Sequence, residues 1–219
     1  MPKLNGWQKT GALCFSLGGL QYLLAEKITA LGWSRPAYSY SQNYISDLGI
    51  AACGKAADGR DICSPLHALM NSGFAIEGVL FAIACWLLRD VFNGRGRSLF
   101  LLAGLIHGIG GVLIAFFHSG TANTGVTMHE AGAVMAIGGG NLCLIFVAWL
   151  MHTKAGFGRY SWLSVFLGGV GLVCMFSITS GKYPVGVIER ASVYPITCWQ
   201  IMTGLYLLII FRAPDAKRK

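Results

Sequence analysis

Charge is what this sequence has least of. Charged residues make up 12% of the chain against a hydrophobic fraction of 54%, too few to solvate the surface of a water-soluble domain. That scarcity excludes a soluble globular protein and implies a membrane protein. Other features are missing as well. The exterior segments hold no Asn-X-Ser/Thr glycosylation acceptor, and there is no low-complexity tail and no internal repeat. No small-residue cleavage site follows the first apolar run before Glu26-Lys27, so that run is expected to be retained rather than removed as a signal peptide. No His-Glu-X-X-His pattern places two metal ligands on one helix.

The formal net charge of +8 would point to nucleic acid in a soluble chain. Here the basic residues fall at the ends of apolar runs, with no basic surface interleaved with aromatics, so a nucleic-acid partner is excluded.

What is present is long apolar runs. Six are long enough to cross a bilayer, at roughly 10–31, 66–88, 99–118, 128–151, 161–180 and 191–211, given that a span takes about 20 residues. The expected fold is an all-α polytopic membrane helix bundle of six transmembrane helices, a single domain over residues 1–219. Its connections alternate in charge. One side carries Lys3 and Lys9, then Arg89, Arg95 and Arg97, then Lys154 and Arg159, then Arg212, Lys217, Arg218 and Lys219. The other holds a long loop over residues 33–64, the uncharged stretch from Ser119 to Val126, and the short segment from Gly181 to Arg190. Short loops rich in Lys and Arg stay in the cytoplasm. Both termini are therefore expected inside and the long loop outside, in an integral plasma (inner) membrane.

Cys53 and Cys63 lie in that exterior loop, a compartment that permits disulfides, and a bridge between them is the expectation, with a redox or metal pair as the other reading. The five remaining cysteines fall inside spans, where thiols behave as small apolar residues. The loop opens with Trp33, Tyr38, Tyr40 and Tyr44, and the segment around Ile45-Ser46-Asp47-Leu48 is too apolar for a solvated linker. It is expected to fold back over the helix ends with Asn43 and Asp47 on one side of a helical turn.

Ser64 and Pro65 suit the N-cap and first position of the second span. Thr127 and Glu130 match a capping box at the start of the fourth. The third is expected to carry His107 and His118 on one face. Glycines at 11, 18, 19, 104, 108, 138–140, 168, 169 and 171 read as close helix contacts.

Polar residues are distributed unevenly. Asn43, Asp47, His67, His118, His129, Glu130, Glu189 and Arg190 all fall at the exterior ends or in the loop, whereas His152 and surface charge are all the other face shows. The asymmetry points to one outward-facing pocket. Glu77 and His107 sit deeper, and ionisable groups at mid-span call for a function by default.

The order Asn43, Ile45-Ser46-Asp47-Leu48-Gly49, Ser64-Pro65, Met70-Asn71, His129-Glu130 and Glu189-Arg190 resembles a bacterial and archaeal six-span membrane family, domain of unknown function nine-nine-eight, itself similar to Frag1/DRAM/Sfk1-type membrane proteins. The resemblance covers most of the chain and implies six membrane helices with no settled chemistry. The Frag1-type relatives resemble proteins of lipid remodelling or membrane sensing, which adds weight to a lipid ligand.

The leading functional expectation is a pocket that binds or processes a lipid or amphiphile, with Asn43, Asn71, Glu189, Arg190 and Tyr194 as ligand-binding residues. In a catalytic version, His67, His118 and His129 hold zinc or another divalent metal, and Asp47, Glu130 and His129 serve hydrolysis as ligands or bases. The alternatives are a haem- or quinone-binding redox protein, with His67, His118 and His129 at one depth, and a non-catalytic transporter or sensor in which Glu77 and His107 relay protons. The missing internal repeat weighs against a transporter. The expected partners are membrane lipids.

Overall fold

Apolar runs bounded by capping residues become helices wherever the backbone can satisfy itself internally. The computed structural model, which describes residues 3–56, 58–118 and 127–211, shows six of them: α1 (Gly6–Gly32), α2 (His67–Leu87), α3 (Arg97–Phe116), α4 (Met128–Met151), α5 (Gly158–Ser177) and α6 (Val185–Ile210). Five, α2 to α6, are long and apolar enough to cross a membrane. At 27 residues α1 is long enough for a span, but Lys9, Gln21, Glu26 and Lys27 make it the most polar of the six. The stretch from Ser119 to Val126 and the basic residues Arg212, Lys217, Arg218 and Lys219 lie outside the described residues.

Each helix packs on its sequence neighbour and α6 closes against α1, so the bundle is a ring, with α4 and α6 also meeting across it. Glycine permits the tightest contacts. A Cβ on Gly110 of α3 would collide with the Ala136 nitrogen of α4, and one on Gly78 of α2 or Gly108 of α3 would stand 2.7 Å from the other's carbonyl oxygen. Close backbone approach of this kind is how helices associate where lipid supplies no hydrophobic drive between them. Gly169, by contrast, has nothing within 4 Å and takes no part in packing.

Two cores result. One fills the body of the bundle with Phe15, Phe81, Phe100, Leu144 and Trp199. The other lies at one end, where Tyr22, Trp33, Met70 and Phe74 from the helices meet Ile45 and Leu48 from the loop. The outer faces stay apolar and exposed, most clearly on α5, where Trp162 is 77% and Phe166 65% exposed. Faces of that kind are covered by lipid in a spanning bundle.

The loop between α1 and α2 folds back as its apolar content requires. A 3-10 turn at Ser46–Gly49 buries Asp47 and Leu48, and beyond it β1 (Gly54–Lys55) and β2 (Asp61–Ile62) pair antiparallel inside the Cys53–Cys63 disulfide.

Several boundaries differ from the sequence expectation, and three of them bear on candidate residues. The second helix starts at His67, two residues after Pro65, and its first turn has no side-chain cap. Ser64 instead donates its hydroxyl to the Leu48 carbonyl at 2.6 Å, because the folded-back loop offers it a buried acceptor. The third helix ends at Phe116, so His118 has left the helical face it was expected to share with His107. The last helix begins at Val185, which puts Glu189 and Arg190 inside it rather than ahead of it. The capping box of Thr127 and Glu130 is present as expected.

Candidate functional site

The polar residues at the loop end form a latch above a cavity. The latch is centred on Arg190, a buried cation in α6 that must be paired to be tolerated. Its Nε donates to Glu26 of α1 at 3.0 Å, and one Nη donates to the carbonyls of Tyr40 at 2.8 Å, Gly186 at 3.0 Å and Asn43 at 3.2 Å. The other Nη meets Glu26 at 2.9 Å and the Tyr38 hydroxyl. Tyr194 donates to both Glu26 oxygens at 3.1 Å. Next to Arg190, Glu189 accepts the backbone N–H of Ile45. One turn of α6 thus holds the loop through both its charges.

The loop's own node is Asp47. Its carboxylate accepts from the Tyr44 N–H at 2.9 Å and the Asn43 amide at 3.3 Å, and it pairs with Arg60. Asn43 and Asp47 therefore do share one side of a turn. Burial pushes the Asp47 carboxyl above its usual range, and Arg60 pulls only partly against it. Asp58, also on Arg60, goes the other way: what burial it has acts upward, but the bonds from Arg60 outweigh it and leave the carboxyl below its usual range. Burial also pushes the Tyr38 hydroxyl up, so it remains a neutral phenol beside Arg190.

Beneath the latch lies a narrow cavity of about 60 Å³, well short of the roughly 300–1,000 Å³ that holds a whole drug-sized molecule, so only part of a larger ligand fits inside it. Tyr22, Phe74, Ile114, Ile137, Val193 and Ile196 make its walls mostly apolar. Ile45 and Ser46 of the loop, with Glu189 and His129, line it as well, as do Glu77 and His107.

Glu77 of α2 and His107 of α3 form a buried pair, with His107 Nε2 3.1 Å and 3.0 Å from the two carboxyl oxygens. The other ring nitrogen, Nδ1, lies 2.6 Å from the Ala136 carbonyl of α4, and Gln200 of α6 donates to Glu77 at 2.8 Å. A carbonyl can only accept, so Nδ1 carries a proton. One further proton is then shared between Nε2 and the carboxylate, and the pair is neutral as a unit. Four helices converge on it.

The other expected site residues are placed apart from this pair. His67 turns back to its own Ser64 carbonyl at 3.1 Å. His118 meets the Asn71 amide at 2.9 Å, and Asn71 also donates to the Gly49 carbonyl at 2.9 Å. His129 holds the Phe117 carbonyl at 2.8 Å through Nδ1. Among the described residues, no three His, Cys, Asp or Glu side chains gather closely enough to hold a metal ion. Glu130 is exposed and bonded to the Thr127 N–H at 2.8 Å, away from the cavity walls. Arg190 and Tyr194 serve the latch, and of the residues expected to bind ligand only Glu189 lines the cavity.

Sequence reasoning passed over Arg60, Gln200 and the wall residues. Gln200 had a signal, an amide in mid-span where polar groups are costly.

Comparison with known proteins adds one finding. A family model described as protein of unknown function (DUF998) matches residues 16–206, so the chain belongs to that family. No curated protein and no solved structure matches it.

Proposed function

We propose that this DUF998-family protein is a six-span integral membrane protein whose loop end faces away from the cytoplasm, and that the cavity under the loop binds the hydrocarbon chain of an amphiphile. One observation carries the reading: an apolar cavity inside the bundle, with a few polar groups along it and a loop latched across it. Apolar walls with sparse polar groups are the usual composition of a site for a ligand that is mostly hydrocarbon. The orientation is supported by the short connections, since Arg89, Arg95, Arg97, Lys154 and Arg159 cluster at the end opposite the loop. Two of the polar groups that weaken the hydropathy of α1 are turned into the bundle, Glu26 onto Arg190 and Gln21 onto the Gly73 carbonyl at 3.0 Å, and Lys9 and Lys27 are exposed near its two ends, where snorkelling makes charge cheap; this supports α1 as a span.

The test is native mass spectrometry of protein released from its membrane in mild detergent. A retained amphiphile adduct is expected in the natural chain. In Ala133→Trp, which fills the cavity from α4, the adduct is lost, while a thermal melt confirms that the bundle has kept its fold. Absence of any adduct from the natural chain, or an adduct unchanged in a folded Ala133→Trp protein, overturns the reading.

A further inference from the structure

The cavity's charges are unevenly matched, and the imbalance selects a head group. This inference rests on the amphiphile reading above and adds the ligand's charge to it. The described lining holds two carboxylates, Glu77 and Glu189, and two histidines, with no Lys or Arg among them. Arg35 of the loop is exposed and lines no part of the cavity, and the two arginines held at the latch and at Asp47 are both occupied. Arg190 spends its guanidinium on Glu26, three carbonyls and the Tyr38 hydroxyl, and Arg60 is bound to Asp47 and Asp58. Neither is available to a phosphate or carboxylate entering the cavity.

The carboxylates differ from each other. Glu77 is matched internally, by the proton it shares with His107 and by the Gln200 amide. Glu189 accepts the Ile45 N–H with one oxygen, and its second oxygen, Oε1, meets no protein donor among the described residues. A carboxylate accepts at both oxygens, and Glu189 is only partly buried, so Oε1 is free to meet a donor that enters the cavity. His129 adds a second acceptor. Its Nδ1 donates to the Phe117 carbonyl, so in the neutral ring Nε2 keeps a lone pair. The cavity therefore offers acceptors without cations.

We propose that the cavity takes a cationic amphiphile, with an amine or quaternary ammonium head beside Glu189 and its hydrocarbon chain along Tyr22, Phe74, Ile137 and Ile196. An anionic head would face Glu189 with no cation in the lining to offset it. A neutral hydroxyl head can bond to Oε1 but gains no charge pairing.

Three photoreactive probes test this. They share one diazirine-bearing alkyl chain and differ only in the head, a primary amine, a hydroxyl or a carboxylate. Each is added to the full chain in phosphatidylcholine nanodiscs, irradiated, and the adducts are mapped by peptide mass spectrometry. Labelling of the lipid-facing α5 peptide around Trp162 and Phe166 corrects for unequal partitioning into the bilayer. On peptides containing Phe74 and Ile137, the amine probe should exceed the carboxylate probe by about tenfold, the size of one charge-assisted hydrogen bond. Glu189→Gln should bring amine labelling down to the hydroxyl level. Equal cavity labelling by all three heads in the natural chain, or a preference for the carboxylate, overturns the charge selection and leaves the amphiphile reading standing. No cavity labelling by any probe overturns both. The comparison of heads within the natural chain decides the matter even where Glu189→Gln fails to fold.

Discussion

Glu77 and His107 show what a single residue costs inside this bundle. Each is buried, with 6% and 4% of its surface exposed, and each is tolerable because the other is there. Removing one side of such a pair leaves a buried polar group without its partner, which costs about 3–5 kcal/mol, whereas changing both together removes that mismatch within the pair. Glu77→Gln and His107→Gln are each expected to lower the melting temperature of the detergent-solubilised protein sharply. The double variant should lose clearly less than the two added together, by roughly 0.5–3 kcal/mol of coupling. Strictly additive losses in the cycle would show that the two do not act as a unit. The sequence marked both as out of place in mid-span, and the position alone sufficed for that. It did not mark them as partners, because helical phase locates a residue on its own helix and says nothing of which helix will face it. Arg190 has the same history. The sequence placed it at the exterior end as a ligand-binding residue, but its guanidinium is spent on Glu26 and the loop.

The element that sequence reasoning described best is the loop between α1 and α2. Its apolar residues demanded burial, and Ile45 and Leu48 are 1% and 0% exposed. The Cys53–Cys63 bridge followed from two cysteines in one exterior segment. What holds each half of the loop is different. The 3-10 turn hangs on Arg190, Glu189 and Ser64, whereas the hairpin, with two residues per strand, hangs on the disulfide, the Arg60–Asp47 pair and buried Ile62. Closing a loop of separation 10 contributes about 3 kcal/mol by chain entropy. Mild reduction should therefore loosen the hairpin and leave the turn in place. Trypsin is expected to cut the reduced, detergent-solubilised protein at Lys55 and Arg60, and the bundle's melting temperature should fall little. Cleavage at Lys55 and Arg60 at equal rates before and after reduction would mean that the disulfide does not hold this segment. The cap assigned to Ser64 was misread because a local rule competes with a tertiary acceptor, and the Leu48 carbonyl is present only once the loop has folded.

At the scale of the molecule, the ring of helices places the buried carboxylates, histidines and arginine at one end and beneath it. The proposed orientation can be checked on the whole chain in its membrane. A membrane-impermeant amine reagent applied to intact cells should modify Lys55 and Lys182, both exposed at the loop end, and should reach Lys9 only after permeabilisation. The opposite pattern would invert the orientation and put the cavity mouth on the cytoplasmic side. Class, helix count and approximate spans were readable from the sequence, because hydropathy and charge are sums along the chain and need no knowledge of neighbours. So was the gathering of polar groups at one end, since alternating spans return to the same face. The tertiary structure alone decided which of those groups meet. It joined Glu26 to Arg190 across α1 and α6, brought Glu77 and His107 together with Gln200, and left His67, His118 and His129 on separate partners. Pairing depends on helix rotation and on how closely backbones approach, and glycine contacts such as Gly110 on Ala136 set both only when the whole ring has closed.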